Sequence, residues 1–286
     1  MAKMKGKSIT KVKPRKKTLG LAKFIRTSNK NKKREPQLEK EAKQHVPKKN
    51  SPTVSKNKRG VGLVDRCKQQ MSTSLLRLFD EKLYTHEAEE QPLDKNKFLA
   101  YHEAYATVSE KWPTKPIDHI VKFIKRHFLA KKPIHKYKFV DVGCGSEPLL
   151  KKKLPPKANV LSFDIVSTHK DVTEANMQHL PIEDNSIDVA VYSLSLMAKN
   201  LGHIILEAKR IIKTSGSLLI VEVTSRFEGR EKGFVDRLEK IGLKKKSMNP
   251  LEPNGYFTFF HFMKEDSRID YPRLNIQLKP CVYKAR

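Results

Sequence analysis

Phe139-Val140-Asp141-Val142-Gly143-Cys144-Gly145 is the stretch whose reading decides the fold. A short apolar strand runs straight into glycines, where the chain must turn sharply and can admit a ligand against its bare backbone. An ordinary tight turn between a strand and a helix would read the same way. As a dinucleotide fingerprint the stretch fails: the third glycine position is Pro148, which forfeits the close helix packing needed beneath a pyrophosphate.

Downstream, short apolar runs alternate with helical patterns, the signature of a mostly parallel sheet covered by helices. Strands are expected at Phe139–Val142, Val160–Phe163, near Asp171-Val172, Ile187–Leu194, Leu218–Val223 and Tyr256–Met263. Val189-Ala190-Val191-Tyr192 is apolar at consecutive positions, as a central strand buried on both faces requires. Helices are expected from about Lys199 to Lys213, stopping at Thr214-Ser215-Gly216, and from about Glu231 to Ile241, stopping at Gly242. Lys244–Ser247, Pro253-Asn254-Gly255 and the run after it read as an antiparallel hairpin, because Asn-Gly tolerates positive φ.

Upstream lies a helical segment, expected over residues 70–130. Leu75, Leu76, Leu78, Phe79 and Leu83 have amphipathic helical spacing and lead to an acidic loop containing Glu87, Glu89, Glu90 and Pro92. Phe98, Tyr101 and Tyr105 form a second helical stripe after Asp94. Trp112-Pro113 closes it before a third helix from Ile117 to Phe128.

Residues 1–60 are different in kind. They hold 21 Lys and Arg against three acids, so +18 of the chain's +28 lies there. Apolar residues are too sparse to offset the entropy of ordering, and a disordered basic tail is expected. A flexible polycation attracts phosphate backbones with little sequence preference, and clusters such as Lys13-Pro14-Arg15-Lys16-Lys17 suit nuclear import equally well. No apolar run approaches the roughly 18 residues of a membrane span, and no signal-peptide apolar region follows the first lysines, so a soluble intracellular protein is expected. Cys67, Cys144 and Cys281 are odd in number and lack a CxxC partner, which argues against a disulfide framework and a zinc site.

Asp164 closes the second strand, 21 residues beyond Gly143, where a carboxylate can accept both hydroxyls of an adenosine ribose. A helix N-cap is the alternative reading. Asn176-Met177 precedes Leu180-Pro181-Ile182-Glu183-Asp184-Asn185-Ser186-Ile187-Asp188, although a Met is more often core than cofactor wall.

With Asp141 two residues ahead of the glycines, the loop resembles that of class I S-adenosylmethionine-dependent methyltransferases. From residue 98 onward the chain resembles the ribosomal RNA-processing methyltransferase family that includes nucleomethylin. The likeness rests on Tyr101-His102, Lys111-Trp112-Pro113, Ser193-Leu194-Ser195-Leu196-Met197, Glu222-Val223-Thr224-Ser225-Arg226-Phe227-Glu228 and Leu278-Lys279-Pro280-Cys281-Val282-Tyr283-Lys284.

That resemblance implies a Rossmann-like domain over residues 135–286, with a mostly parallel seven-stranded sheet ending in an antiparallel hairpin. It implies S-adenosylmethionine as cofactor, held by His102, Gly143, Asp164, Asn176, Met177 and Ser193, and N1 of an adenine in large-subunit ribosomal RNA as acceptor. No catalytic residue is singled out. Partners would be the RNA or pre-ribosome, in the nucleus and nucleolus. Chromatin-associated proteins are a further class of partner, if the chain instead works as a non-catalytic, cofactor-sensing protein at ribosomal DNA. Arg226 and Phe227, after the fifth strand, would offer RNA a cation and an aromatic face; the alternative packs Phe227 under the next helix and leaves Arg226 solvated. The chain departs from the family at Asn176, where an acid is the rule, and at Ser193, where relatives carry Cys.

Overall fold

The computed structural model describes residues 63–85, 94–130, 133–199, 201–266 and 274–281. The basic tail and the acidic loop expected around Glu87 to Pro92 lie outside them. Among the described residues three helices come first: α1 (Leu63–Thr85), α2 (Lys95–Ser109) and α3 (Pro116–His127). Asp94 caps α2 through a 3.2 Å hydrogen bond from the Lys97 N–H. Pro116 opens α3, where its missing N–H costs nothing.

The sheet follows as β1 (Lys138–Val142), β2 (Asn159–Asp164), β3 (Thr173–Glu174), β4 (Ile187–Ser193), β5 (Ile212–Val223), β6 (Leu243–Pro250) and β7 (Phe257–Lys264), with α4 (Leu149–Lys153), α5 (Gly202–Ile211) and α6 (Glu231–Lys240) between strands. Its order is β3-β2-β1-β4-β5-β7-β6. All neighbours are parallel except β7, which runs antiparallel to β5 and β6.

Alternation along each strand sorts side chains into two cores. Val140, Val142, Ala190, Tyr192, Leu218, Ile220, Phe260 and Phe262 face one way and pack with Ile204, Ile205 and Ala208 of α5 and Phe234 and Leu238 of α6. Phe139, Val189, Val191, Leu219, Val221 and Phe259 face the other way, onto Ile120, Val121 and Ile124 of α3 and Leu150 of α4. The central strands are therefore apolar at successive positions because both faces are covered.

Three boundaries differ from the sequence reading. Thr214-Ser215-Gly216 does not stop a helix: α5 ends at Ile211 and β5 starts at once, with Ser215 at φ 64° and the register to β4 shifting between Ile187 and Val189. Gly216 belongs to that bulged entry, where an added Cβ would sit 2.7 Å from Ile212 Cγ2. β3 lies at Thr173–Glu174, two residues beyond Asp171-Val172, since two residues paired to the end of β2 leave no alternation to read. The C-terminal hairpin is longer than expected, with only Gly255 of the Asn-Gly pair at positive φ.

Candidate active site

The strand order reverses between β1 and β4, and an open α/β sheet binds ligands at the carboxyl ends of the strands flanking such a reversal. There the chain leaves β1 through Gly143 at φ 71° and Gly145 at φ 76°, conformations that glycine adopts without strain. Gly143 and Cys144 donate their N–H groups to the Phe163 carbonyl at 2.8 and 3.1 Å, so the turn hangs from the end of β2. Gly145 donates to Asp164 Oδ2 at 2.8 Å. A Cβ on Gly143 would stand 2.4 Å from Ser195 Cβ, whereas one on Gly145 would meet nothing within 4 Å. The backbone at Gly145 is thus open to a ligand.

Asp164 is buried, and its Oδ1 lies 3.4 Å from His102 Nε2, a side chain delivered by α2. The Ala175 N–H donates to the Asp164 carbonyl at 2.8 Å, which fixes the segment carrying Asn176 and Met177. Asn176 is exposed, and its Oδ1 accepts the Gln178 N–H at 2.9 Å. On the other side β4 ends at Ser193, followed by Leu194 at φ 57° and the buried Ser195.

These groups line one cavity of about 540 Å³. Every residue expected to hold the cofactor, His102, Gly143, Asp164, Asn176, Met177 and Ser193, is in its wall. The wall also contains Phe98, Tyr101 and Tyr105 of α2, the indole of Trp112, and Ser195 and Met197 beyond β4. The spacing of the α2 aromatics at i, i+3 and i+7 marks a buried face without saying whether protein or ligand covers it. Tyr101 does both, because its hydroxyl donates to Asp80 Oδ1 at 3.1 Å and lies 3.2 Å from Met197 Sδ.

Two carboxylates give the cavity its electrostatic character. Asp141 is buried in the wall, and burial, reinforced by the nearby Asp164 charge, pushes its carboxyl up to about 7. Cys144 is also pushed up, by burial and then by both carboxylates, so its thiol stays protonated and is no nucleophile at neutral pH.

Arg226 and Phe227 are not at this site's surface, which corrects the expectation that they face RNA. Arg226 is 1% exposed and Phe227 3%. The guanidinium pairs with Glu222 at 2.8 Å, donates from Nε to the Lys279 carbonyl at 2.9 Å and lies 4.3 Å from the centre of the Tyr84 ring. Phe227 packs on Phe234 of α6 and Phe260 of β7. A cation held by an ion pair, a carbonyl and a ring joins α1, β5 and the C-terminal segment rather than reaching outward. Glu222, four residues earlier in the same quoted phrase, was the available sign of a partner.

A family model described as a hypothetical methyltransferase matches residues 62–286. Ribosomal RNA-processing protein 8 of Caenorhabditis briggsae is 35% identical over 227 residues, covering 78% of this chain and 65% of that protein. The 25S rRNA (adenine(645)-N(1))-methyltransferase of Schizosaccharomyces pombe is 30% identical over 241 residues, covering 81% of this chain and 75% of that one. Among solved structures, a SAM-dependent methyltransferase from Aquifex aeolicus matches 60% of this chain and 100% of its own, at 18% identity and a TM-score of 0.42. The chain spans a little under two-thirds of the length of its nematode relatives. With the mostly parallel sheet, the antiparallel β7 and a family match reaching back through all three preceding helices, the chain belongs to the ribosomal RNA-processing protein 8 family of Rossmann-like methyltransferases.

Proposed function

We propose that this chain is an S-adenosylmethionine-dependent methyltransferase that modifies N1 of an adenine in large-subunit ribosomal RNA, in the nucleolus, during ribosome biogenesis. The observation that carries the reading is the convergence of His102, Gly143, Asp164, Asn176, Met177 and Ser193 on one cavity, in a chain whose fission yeast relative is named as an adenine-N1 methyltransferase.

The residues fit the cofactor. Asp164 offers a carboxylate to ribose hydroxyls, Met177 a polarizable apolar wall to an adenine, and the open backbone at Gly145 a place for close approach. Buried His102 Nδ1 has no hydrogen-bond partner among the described residues, as expected of a group that a ligand completes. Asp164 offers a carboxylate to a cationic group in the cavity, and Asp141 can add a second negative charge by losing its proton. When bound, S-adenosylmethionine supplies an electrophilic methyl group.

The chain's own contribution is alignment and exclusion of water, for which α2 and Trp112 form the cover. Well-oriented encounters of this kind supply on the order of 7 to 11 kcal/mol. The lone pair on adenine N1 is already available, so no general base is needed and the protonated Cys144 is no handicap. N1 is hidden in a base pair, so the acceptor is unpaired or flipped out. In this reading the lysines and arginines of residues 1–60 hold phosphates while the cavity takes the base.

Purified protein, radiolabelled cofactor and deproteinised large-subunit RNA provide the test. Label should enter the RNA, and the product should stop reverse transcription at one adenosine. RNA affinity should fall with salt at a log-log slope of about −0.7 for each phosphate neutralised on a single strand. Cofactor binding without label transfer would overturn the enzyme reading in favour of a cofactor-sensing role at ribosomal DNA chromatin.

A further inference from the structure

Of the polar atoms in the cavity wall, Ser195 Oγ stands out, because the residue is 6% exposed and its hydroxyl has no hydrogen-bond partner among the described residues. The fold goes to some trouble to put it there. Leu194, just past β4, is held at φ 57°, a left-handed conformation unfavourable for a side chain with a Cβ. It is retained because Leu194 buries in the core under α3 while Leu196 buries in the opposite core under α5. Ser195 lies between these two anchors. The Met197 N–H donates to the Ser195 carbonyl at 2.9 Å, and the Tyr101 hydroxyl sits on Met197 Sδ, so the turn is closed from both sides.

The direction of the hydroxyl follows from Gly143. An ideal Cβ on that glycine would lie 2.4 Å from Ser195 Cβ and 3.2 Å from Ser195 Oγ, which places the hydroxyl beside the β1 turn at the sheet's reversal point. Burying a hydroxyl without a partner is unfavourable, so a ligand atom is the natural completion. The cofactor's amino-acid end carries full charges and calls for charged partners. From Ser195 the wall continues through Met197 and Ala198, and the Tyr101 hydroxyl lies 3.2 Å from Met197 Sδ, surroundings for the edge of a neutral heteroaromatic ring.

We propose that Ser195 Oγ accepts a hydrogen bond from the exocyclic amino group of the acceptor adenine and so aims N1 at the methyl group. The proposal rests on the reading of the chain as an adenine-N1 methyltransferase. In the transfer the N1 lone pair forms the new N–C bond, the S–C bond breaks with its electron pair returning to sulfur, and no proton leaves. Positive charge passes from sulfur to the purine and spreads onto the amino nitrogen, whose N–H becomes a stronger donor. The hydrogen bond to Ser195 is therefore stronger in the transition state than in the ground state, the condition for accelerating the chemical step.

The test uses the full chain with RNA carrying either adenosine or purine riboside, which lacks the amino group, at the nucleotide the wild type methylates. Ser195→Ala should lower kcat on adenosine RNA by about tenfold or more, the equivalent of one lost hydrogen bond, with cofactor Kd unchanged. On purine riboside RNA the wild type and Ser195→Ala should be equally slow. Ser195→Thr, which keeps the hydroxyl, should recover activity on adenosine RNA. An indifferent Ser195→Ala, an equal loss on both RNAs, or a loss of cofactor affinity would each overturn the assignment while leaving the enzyme reading in place. A wild type that binds cofactor and labels no RNA would remove that reading, and this proposal with it.

Discussion

Asp164 Oδ2 accepts the Gly145 N–H at 2.8 Å, so the carboxylate that closes β2 also holds down the glycine turn that leaves β1. One side chain thus shapes the cavity and offers its remaining lone pairs to whatever enters it. His102, 3.4 Å away on α2, brings the N-terminal helices into the same cluster.

Replacing Asp164 separates the two roles. Asp164→Ala should weaken cofactor binding by about 2–3 kcal/mol, the worth of charge-assisted hydrogen bonds, and loosen the Gly145 turn. Asp164→Asn keeps a neutral acceptor and should fall between that variant and the wild type. Trp112, the single tryptophan, lines the cavity and its emission can follow the titration. Wild-type affinity in Asp164→Ala would show that the ribose lies elsewhere.

How much of this was legible in the sequence depends on what each residue reports. Central strands such as Val189-Ala190-Val191-Tyr192 were readable because double-sided burial leaves an unbroken apolar run. β3 and the bulged start of β5 were not, because two-residue pairing and a register shift leave no period. Gly143 and Asp164 carried their own chemistry in their spacing. His102 entered only through family resemblance, since a histidine on an aromatic stripe reads as core. Ser195 gave no separate signal: a serine between two leucines reveals its direction only when the left-handed Leu194 is seen. Arg226 was misjudged because exposure cannot be read from residue type, and a cation beside an aromatic ring is as well suited to a buried clamp as to RNA.

That clamp predicts stability effects. Arg226→Met leaves Glu222 buried without its cation and should cost about 3–5 kcal/mol in urea unfolding, as should Glu222→Leu for the converse reason. The double variant should recover much of the loss, because the stranded charge is gone. RNA affinity of the folded fraction should not change. A selective loss of RNA binding in a stably folded Arg226→Met protein would restore the discarded surface role.

Asp141 sets a pH dependence. Its carboxyl ionises near 7 in the folded chain against an ordinary 3.8, because burial and the Asp164 charge disfavour the anion. The favourable protonated state is fully present below about pH 4 and is lost as pH rises through 7. Without cofactor, stability from this group should therefore fall across that window, and Asp141→Asn should flatten it. A cationic cofactor reverses the preference and should release a proton on binding at pH 6, which calorimetry in buffers of different ionisation enthalpy reads directly. Identical pH profiles for wild type and Asp141→Asn would remove Asp141 from the account.

Asn176 offers a gain-of-affinity test. Its Oδ1 accepts the Gln178 N–H at 2.9 Å, a short-range turn that an aspartate can form equally well. The side chain is exposed at the cavity wall, so a charge there carries little desolvation cost. If the adenine amino group is read at this position, Asn176→Asp makes the acceptor anionic and should strengthen that hydrogen bond. Cofactor affinity should rise by roughly three- to tenfold, about 0.7–1.4 kcal/mol, in isothermal titration. The gain should disappear with an analogue in which the adenine amino group is replaced by hydrogen. Equal gains for both ligands would mean that the new charge acts on the cationic end of the cofactor through space, and that Asn176 does not read the base.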